Sequence, residues 1–65
     1  MHIYLNGEDR NTEAANIRDL IIELGIEGRM IAVERNLEVV PKSVYAETAL
    51  AEGDRIEIVH MIGGG

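Results

Sequence analysis

The sequence predicts an α+β domain in which one main helix packs on a four- to five-stranded mixed sheet. Three observations carry this: alternating apolar residues at both ends of the chain, one helical periodicity between them, and turn residues that cut the remainder into short runs. Sixty-five residues suffice for one small domain, near the lower limit for a fold without staples.

Met1–Asn6 alternates, with Ile3 and Leu5 able to face a core while His2, Tyr4 and Asn6 face away. Asn6-Gly7 is a tight-turn signal, because both positions tolerate the positive φ of a type I′ hairpin. The strand expected next, Glu8–Glu13, has no apolar residue before Ala14 and reads as a polar edge strand. Ile17, Leu20, Ile21 and Leu24 then follow the i, i+3, i+4, i+7 spacing of one helical face over 16–24. Asn16 is a good N-cap, Asp19 puts a carboxylate in the first turn, and Gly25 suits a left-handed ending with Ile26 packing back on Ile21. Met30–Val33 suits a buried strand, with Glu34-Arg35-Asn36 returning the chain to solvent and Asn36 turning it into a second short strand, Leu37–Val40. Pro41–Ala46 fits one helical turn. After the turn Glu52-Gly53-Asp54, Arg55–Met61 alternates, with Ile56 and Ile58 on one face and Glu57, Val59 and Met61 on the other. A helix between the first and third strands supplies the crossover that parallel pairing needs. The β-grasp, with first and last strands side by side in the centre, satisfies this order.

Composition narrows the function. Ile, Leu and Val number nineteen, against two Tyr and no Phe or Trp, so the core is aliphatic. With no Cys there is neither disulfide nor thiolate metal site, and His2 and His60 are too few and too far apart to suggest a metal. Asp and Glu outnumber Lys and Arg twelve to six, a net charge of −6 and the reverse of a nucleic-acid binder. Such acidity favours solubility and a partner with a basic docking surface. Neither a membrane span nor an export signal is visible, so a cytoplasmic protein is expected.

The chain divides into a domain at 1–62 and a flexible glycine tail at 63–65. Gly63-Gly64-Gly65 has nothing to bury and is costly to order. It offers a thin segment that carries a carboxylate ~10 Å beyond the sheet. Without Cβ atoms, Gly63 and Gly64 can pass down a narrow channel in another protein and bond its walls like an added strand. Tyr4, Val59 and Met61, with Ile62 next to the tail, form the expected docking patch on the face away from the helix. His60 is read as the end of a strand.

Three segments, "IYLNGE", "IAVERNLEVVPK" and "LAEGDRIEIVHMIGGG", resemble the ThiS family, the ubiquitin-like sulfur carriers of thiamin thiazole biosynthesis. The likeness covers essentially the whole chain. It implies that an E1-like adenylating enzyme binds the carrier and ATP, and that the Gly65 carboxylate attacks the α-phosphate. Sulfur from a cysteine desulfurase or related donor then replaces AMP to leave a thiocarboxylate, which thiazole synthase consumes. The residues agree at two points. The chain has no Gly-x-x-x-x-Gly-Lys loop of its own for ATP, and no thiol to hold sulfur on a side chain. The alternatives are a carrier for molybdopterin or cysteine synthesis, and a ubiquitin-like binding module with an inert tail. An enzyme is not expected, because no nucleophile–base pair is spaced for catalysis.

Overall fold

The computed structural model describes residues 1–61. The strands are β1 (His2–Leu5), β2 (Glu8–Asn11), β3 (Ile31–Arg35), β4 (Glu38–Val40) and β5 (Arg55–His60). One α-helix, α1 (Ile17–Glu23), and a 3₁₀ segment, Lys42–Glu47, complete the order. The sheet runs β2-β1-β5-β3-β4, with β1 and β5 parallel and every other pair antiparallel. First and last strands are therefore neighbours inside a mixed sheet covered by one helix, the β-grasp expected from the sequence.

The β1–β2 hairpin turns on Asn6 and Gly7, both at positive φ (50° and 82°), as a type I′ turn requires. Asn6 also reaches across to β5: its backbone N–H donates to the Ile56 carbonyl, and its Oδ1 accepts from the Ile58 N–H, both at 2.8 Å. The polar strand β2 lies at the sheet edge and ends at Asn11, two residues short of the expected Glu13. Thr12 turns the chain there. It is buried, its Oγ1 accepts from the Ala14 N–H at 3.0 Å, and that same hydroxyl donates to Glu23 Oε1 at 2.7 Å.

Helix α1 forms as its local signals dictate. The Asn16 side chain accepts from the Asp19 N–H at 2.8 Å, and Ile17, Leu20 and Ile21 are buried. At the other end Gly25 takes φ 72°, with Gly25 N–H donating to the Ile22 carbonyl and Ile26 N–H to the Ile21 carbonyl. Those two bonds are a Schellman ending, and Ile26 packs on the core as that ending requires.

Several boundaries differ from expectation. Strand β3 begins at Ile31, leaving Met30 63% exposed, and continues through Glu34 and Arg35 instead of stopping at Val33. Pairing with β5 (Glu34↔Glu57, Arg35↔Ile56) outweighs the polarity of those two residues. Leu37, assigned by sequence to the next strand, sits in the turn with Asn36, both at positive φ (52° and 72°), and is 86% exposed. Pro41 precedes the 3₁₀ segment in an extended conformation instead of opening it.

The core comprises Ile3, Ile17, Leu20, Val33 and Ile56, all at 1% exposure or less, with Ala14, Ile21, Val40, Leu50 and Ile58 around them. Leu5 and Leu24 pack at its margin. Leu50 arrives through backbone bonds near the helix N-terminus: its N–H donates to the Ala15 carbonyl, and the Ile17 N–H to the Thr48 carbonyl. Leu20, wholly buried at the centre of this cluster, is the sensitive point. Leu20→Ala is expected to lower the unfolding free energy by ~2–5 kcal/mol, read from the urea midpoint with an unchanged slope.

Candidate functional site

Apart from Tyr4 on β1, everything that the sequence marks as functional lies on or after β5. This strand is held on both sides, by β1 through Tyr4↔Arg55 and Leu5↔Ile56 and by β3 along Ile31↔His60 to Arg35↔Ile56. His60 is its last residue. The pairing is prolonged by one further bond, Met61 N–H to the Met30 carbonyl at 2.9 Å. The tail positions Gly63, Gly64 and Gly65, and the docking position Ile62, lie outside the described residues.

The start of β5 is fixed by a buried polar cluster. Asp54 is 6% exposed and accepts from Arg35 Nε at 2.7 Å, from Asn36 Nδ2 at 3.0 Å and from the Ala51 N–H at 2.8 Å. Asn36 completes the join: its Oδ1 accepts from the Arg55 N–H, and its own N–H donates to the Arg55 carbonyl. Burial pushes the Asp54 carboxyl up, but the Arg35 guanidinium, the Asn36 amide and the Ala51 N–H outweigh it and hold the carboxyl below its ordinary value. A second carboxylate, Glu23, ties the helix to the bend after β2. The Thr12 hydroxyl, opposed by partial burial and assisted by Arg10, holds it below its ordinary value as well. Neither cluster has a local sequence signal, because the side chains that bond each carboxylate lie eleven to nineteen positions from it.

The three expected docking residues among the described ones are exposed: Tyr4 at 38%, Val59 at 58% and Met61 at 49%. The register separates them. Tyr4 is level with Arg55, so Val59 lies four residues further along, ~13 Å away, with Glu57 on the same face between them. Tyr4 packs edge-on against His2, ring centroids 4.9 Å apart. Val59 stands opposite Ala32 on β3, and exposed Val39 is on β4 of the same face. Met61, expected on the face away from the helix, instead lines a groove of about 520 Å³ between α1, the following loop and the 3₁₀ segment, because the chain past β5 runs beside Met30 and Ile31 at the helix side. Among the described residues no group of His, Cys, Asp or Glu is arranged to hold a metal, and no helix is long and apolar enough to cross a membrane.

The architecture defines a ubiquitin-like β-grasp protein whose central last strand leads into a glycine run. Comparison with known proteins gives the family. Residues 3–65 match the ThiS family. The chain is 40% identical to the sulfur carrier protein ThiS of Bacillus subtilis, over 97% of this chain and 98% of that one. It is 53% identical to the thiazole synthase of Paramagnetospirillum magneticum over its whole length, but spans only about a fifth (20%) of that protein. The crystal structure of the thiamine biosynthesis protein ThiS from Geobacter metallireducens superposes over all of both chains, with a TM-score of 0.84 at 28% identity. The chain belongs to the ThiS family of sulfur carrier proteins.

The Asp54 cluster makes a prediction about the strand that leads to the tail. Asp54→Ala removes the acceptor of three donors and is expected to cost roughly 2–3 kcal/mol of stability. Because both carboxyl pKa values are lowered on folding, their stabilisation is complete above the unfolded carboxylate range and is lost as pH falls through the lowered values. Melting temperature should therefore hold steady near neutrality and drop below about pH 4. Asp54→Ala should flatten that drop, as thermal melts across the range would show.

Proposed function

We propose that this chain carries sulfur for thiamin biosynthesis on its terminal glycine and is not itself an enzyme. The observation that carries the reading is positional. The central strand β5, clamped by β1 and β3 and fastened as far as Met61, is followed in sequence by Ile62 and three glycines. A carboxylate is a poor acyl donor and must be activated, and the adenylating partner supplies ATP; the chain needs no cofactor of its own. A Gly65 carboxylate oxygen attacks the α-phosphate of ATP, expelling pyrophosphate. A persulfide sulfur from a cysteine desulfurase or related donor displaces AMP as an acyl disulfide, and a thiol cleaves the S–S bond to leave the thiocarboxylate. Thiazole synthase accepts that sulfur. Identity across the whole chain with part of proteins named thiazole synthase supports this pathway over molybdopterin or cysteine synthesis.

Gly63 and Gly64 would thread the partner's channel, where the absence of Cβ lets the backbone approach the walls. Tyr4, Val59, Met61 and Ile62 would meet the partner's surface beside it. Val59 is the most exposed of these among the described residues and stands opposite small Ala32, which leaves room for a partner side chain.

Intact mass after incubation with the adenylating enzyme, ATP and a sulfur source tests the chemistry. The chain is expected to gain the mass of one sulfur less one oxygen. The same chain with one or two residues appended after Gly65 should gain nothing, yet melt at the same temperature. Sulfur acquired by the extended chain without prior trimming to Gly65 would refute the reading. Gly64→Val should cut the rate ~100-fold, since a misplacement of ~1 Å at a reacting group has that effect. For docking, Val59→Asp should weaken binding to the adenylating enzyme about tenfold with the fold intact; unchanged affinity would remove Val59 from the interface.

A further inference from the structure

The groove that Met61 lines is not used by the tail chemistry, and its charge is out of keeping with the rest of the molecule. Only six cations occur in a chain of net charge −6, and three of them, Arg18, Arg29 and Lys42, line this one groove. They come from the helix, the loop after it and the start of the 3₁₀ segment. Among the described residues Glu27 is the one carboxylate lining the groove with them, and it meets Arg18 only loosely, Nη2 to Oε2 at 3.9 Å with both side chains 62% exposed. Among the described residues Arg29 and Lys42 have no carboxylate partner, although acidic residues outnumber basic ones two to one.

The floor is apolar. Ile21, Ile26, Ile31 and Tyr45 are buried or half-buried there, and burial pushes the Tyr45 hydroxyl up, so it stays protonated and able to donate to an anion. Met30 and Met61, 63% and 49% exposed, add two adaptable side chains. A site for a small ligand has buried polar groups converging on it. Here the cations are exposed at the edge around an apolar middle, and Arg, Met and Tyr are prominent, which is the arrangement of a protein interface.

We propose that this groove docks an acidic segment of a partner polypeptide, with an apolar side chain seated over Ile26 and Ile31 and flanking Asp or Glu carboxylates bound by Arg18, Arg29 and Lys42. Charge complementarity selects the occupant. A basic segment is drawn to the carboxylates that outnumber cations two to one in the chain, whereas an acidic one meets three cations together at this groove. The groove shares Met61 with the docking positions beside the tail but otherwise lies apart from Tyr4 and Val59 on the outer face, and its use does not depend on the chemistry assigned to Gly65.

The test is selection of a library of random peptides, roughly twelve residues long, on the full chain, counter-selected on an Arg29→Glu/Lys42→Glu double variant. Retained peptides are expected to carry Asp or Glu beside Leu, Ile or Phe, to shift the NMR amide signals of residues 26–31 and 42–46, and to bind the double variant about tenfold more weakly. If that variant melts early, Arg29→Gln and Lys42→Gln singly should each weaken binding, and unchanged binding to both overturns the proposal. Failure to enrich any peptide over the counter-selection overturns it, as do peptides without net negative charge or shifts confined to the sheet face around Val59. Inorganic phosphate or AMP saturating the same amides as tightly as the peptides would overturn it in favour of a small-anion site. If ending the chain at Met61 moves those amides and uncovers peptide binding absent in the full chain, the occupant is the chain's own end, and the proposal fails.

Discussion

The parallel pairing of the first strand with the last is the contact on which the rest of the molecule depends. Strand β1 has four residues, and its register with β5 covers only Tyr4↔Arg55 and Leu5↔Ile56. Beyond Leu5 the N–H of Ile58 would face the end of its neighbour. Asn6 fills that gap, its side-chain oxygen accepting from Ile58 while its backbone takes the positive φ of the hairpin turn. One residue thus ends β1, turns the chain and extends the central pairing. Because β5 is enclosed on both sides, its end at His60 is held in the middle of the sheet, a position that a frayed edge could not supply.

Polar contacts fasten the places where aliphatic packing is thin. With no aromatic residue in its core and 65 residues in all, the domain buries branched aliphatics at its centre and closes its corners with carboxylates. Asp54 joins the β3–β4 turn to the start of β5, and Glu23 joins the helix to the bend after β2. Each carboxylate is held ionised by directed donors, so these corners are rigid where a loop held by packing alone would open locally. The turn that Asp54 supports even tolerates Leu37 at φ 72°, a conformation that costs roughly 1 kcal/mol outside glycine.

Net charge is a poor description of this surface. Two arginines, Arg10 and Arg35, are committed to Glu23 and Asp54 and act as structural members. Three of the remaining cations meet at the groove beside Met61, where Glu27 is the one carboxylate among the described lining residues. Partners approaching from different sides therefore meet opposite fields, which sorts them before any contact forms.

Helix α1 was legible in the sequence because its determinants are local: a cap, a periodic apolar stripe and a left-handed glycine lie within eleven residues. The type I′ turn at Asn6-Gly7 and the inward Ile56 and Ile58 were legible for the same reason, as was the glycine run that drew attention to the chain end. The end of β3 is hidden in the sequence, because Glu34 and Arg35 look like solvent residues until β5 pairs with them. The place of Leu37 is hidden too, because nothing in its residue type announces an exposed turn. Tyr4 and Val59 share a face by alternation, yet only the β1–β5 register shows that four residues separate them. Leu50 joins the core through a bond to the distant Ala15 carbonyl, and Arg18, Arg29 and Lys42 come together only after the helix and the 3₁₀ segment pack. Short-range sterics and hydrogen bonds wrote the elements into the sequence, while strand register and the meeting of far-separated charges exist only once the chain has closed on itself.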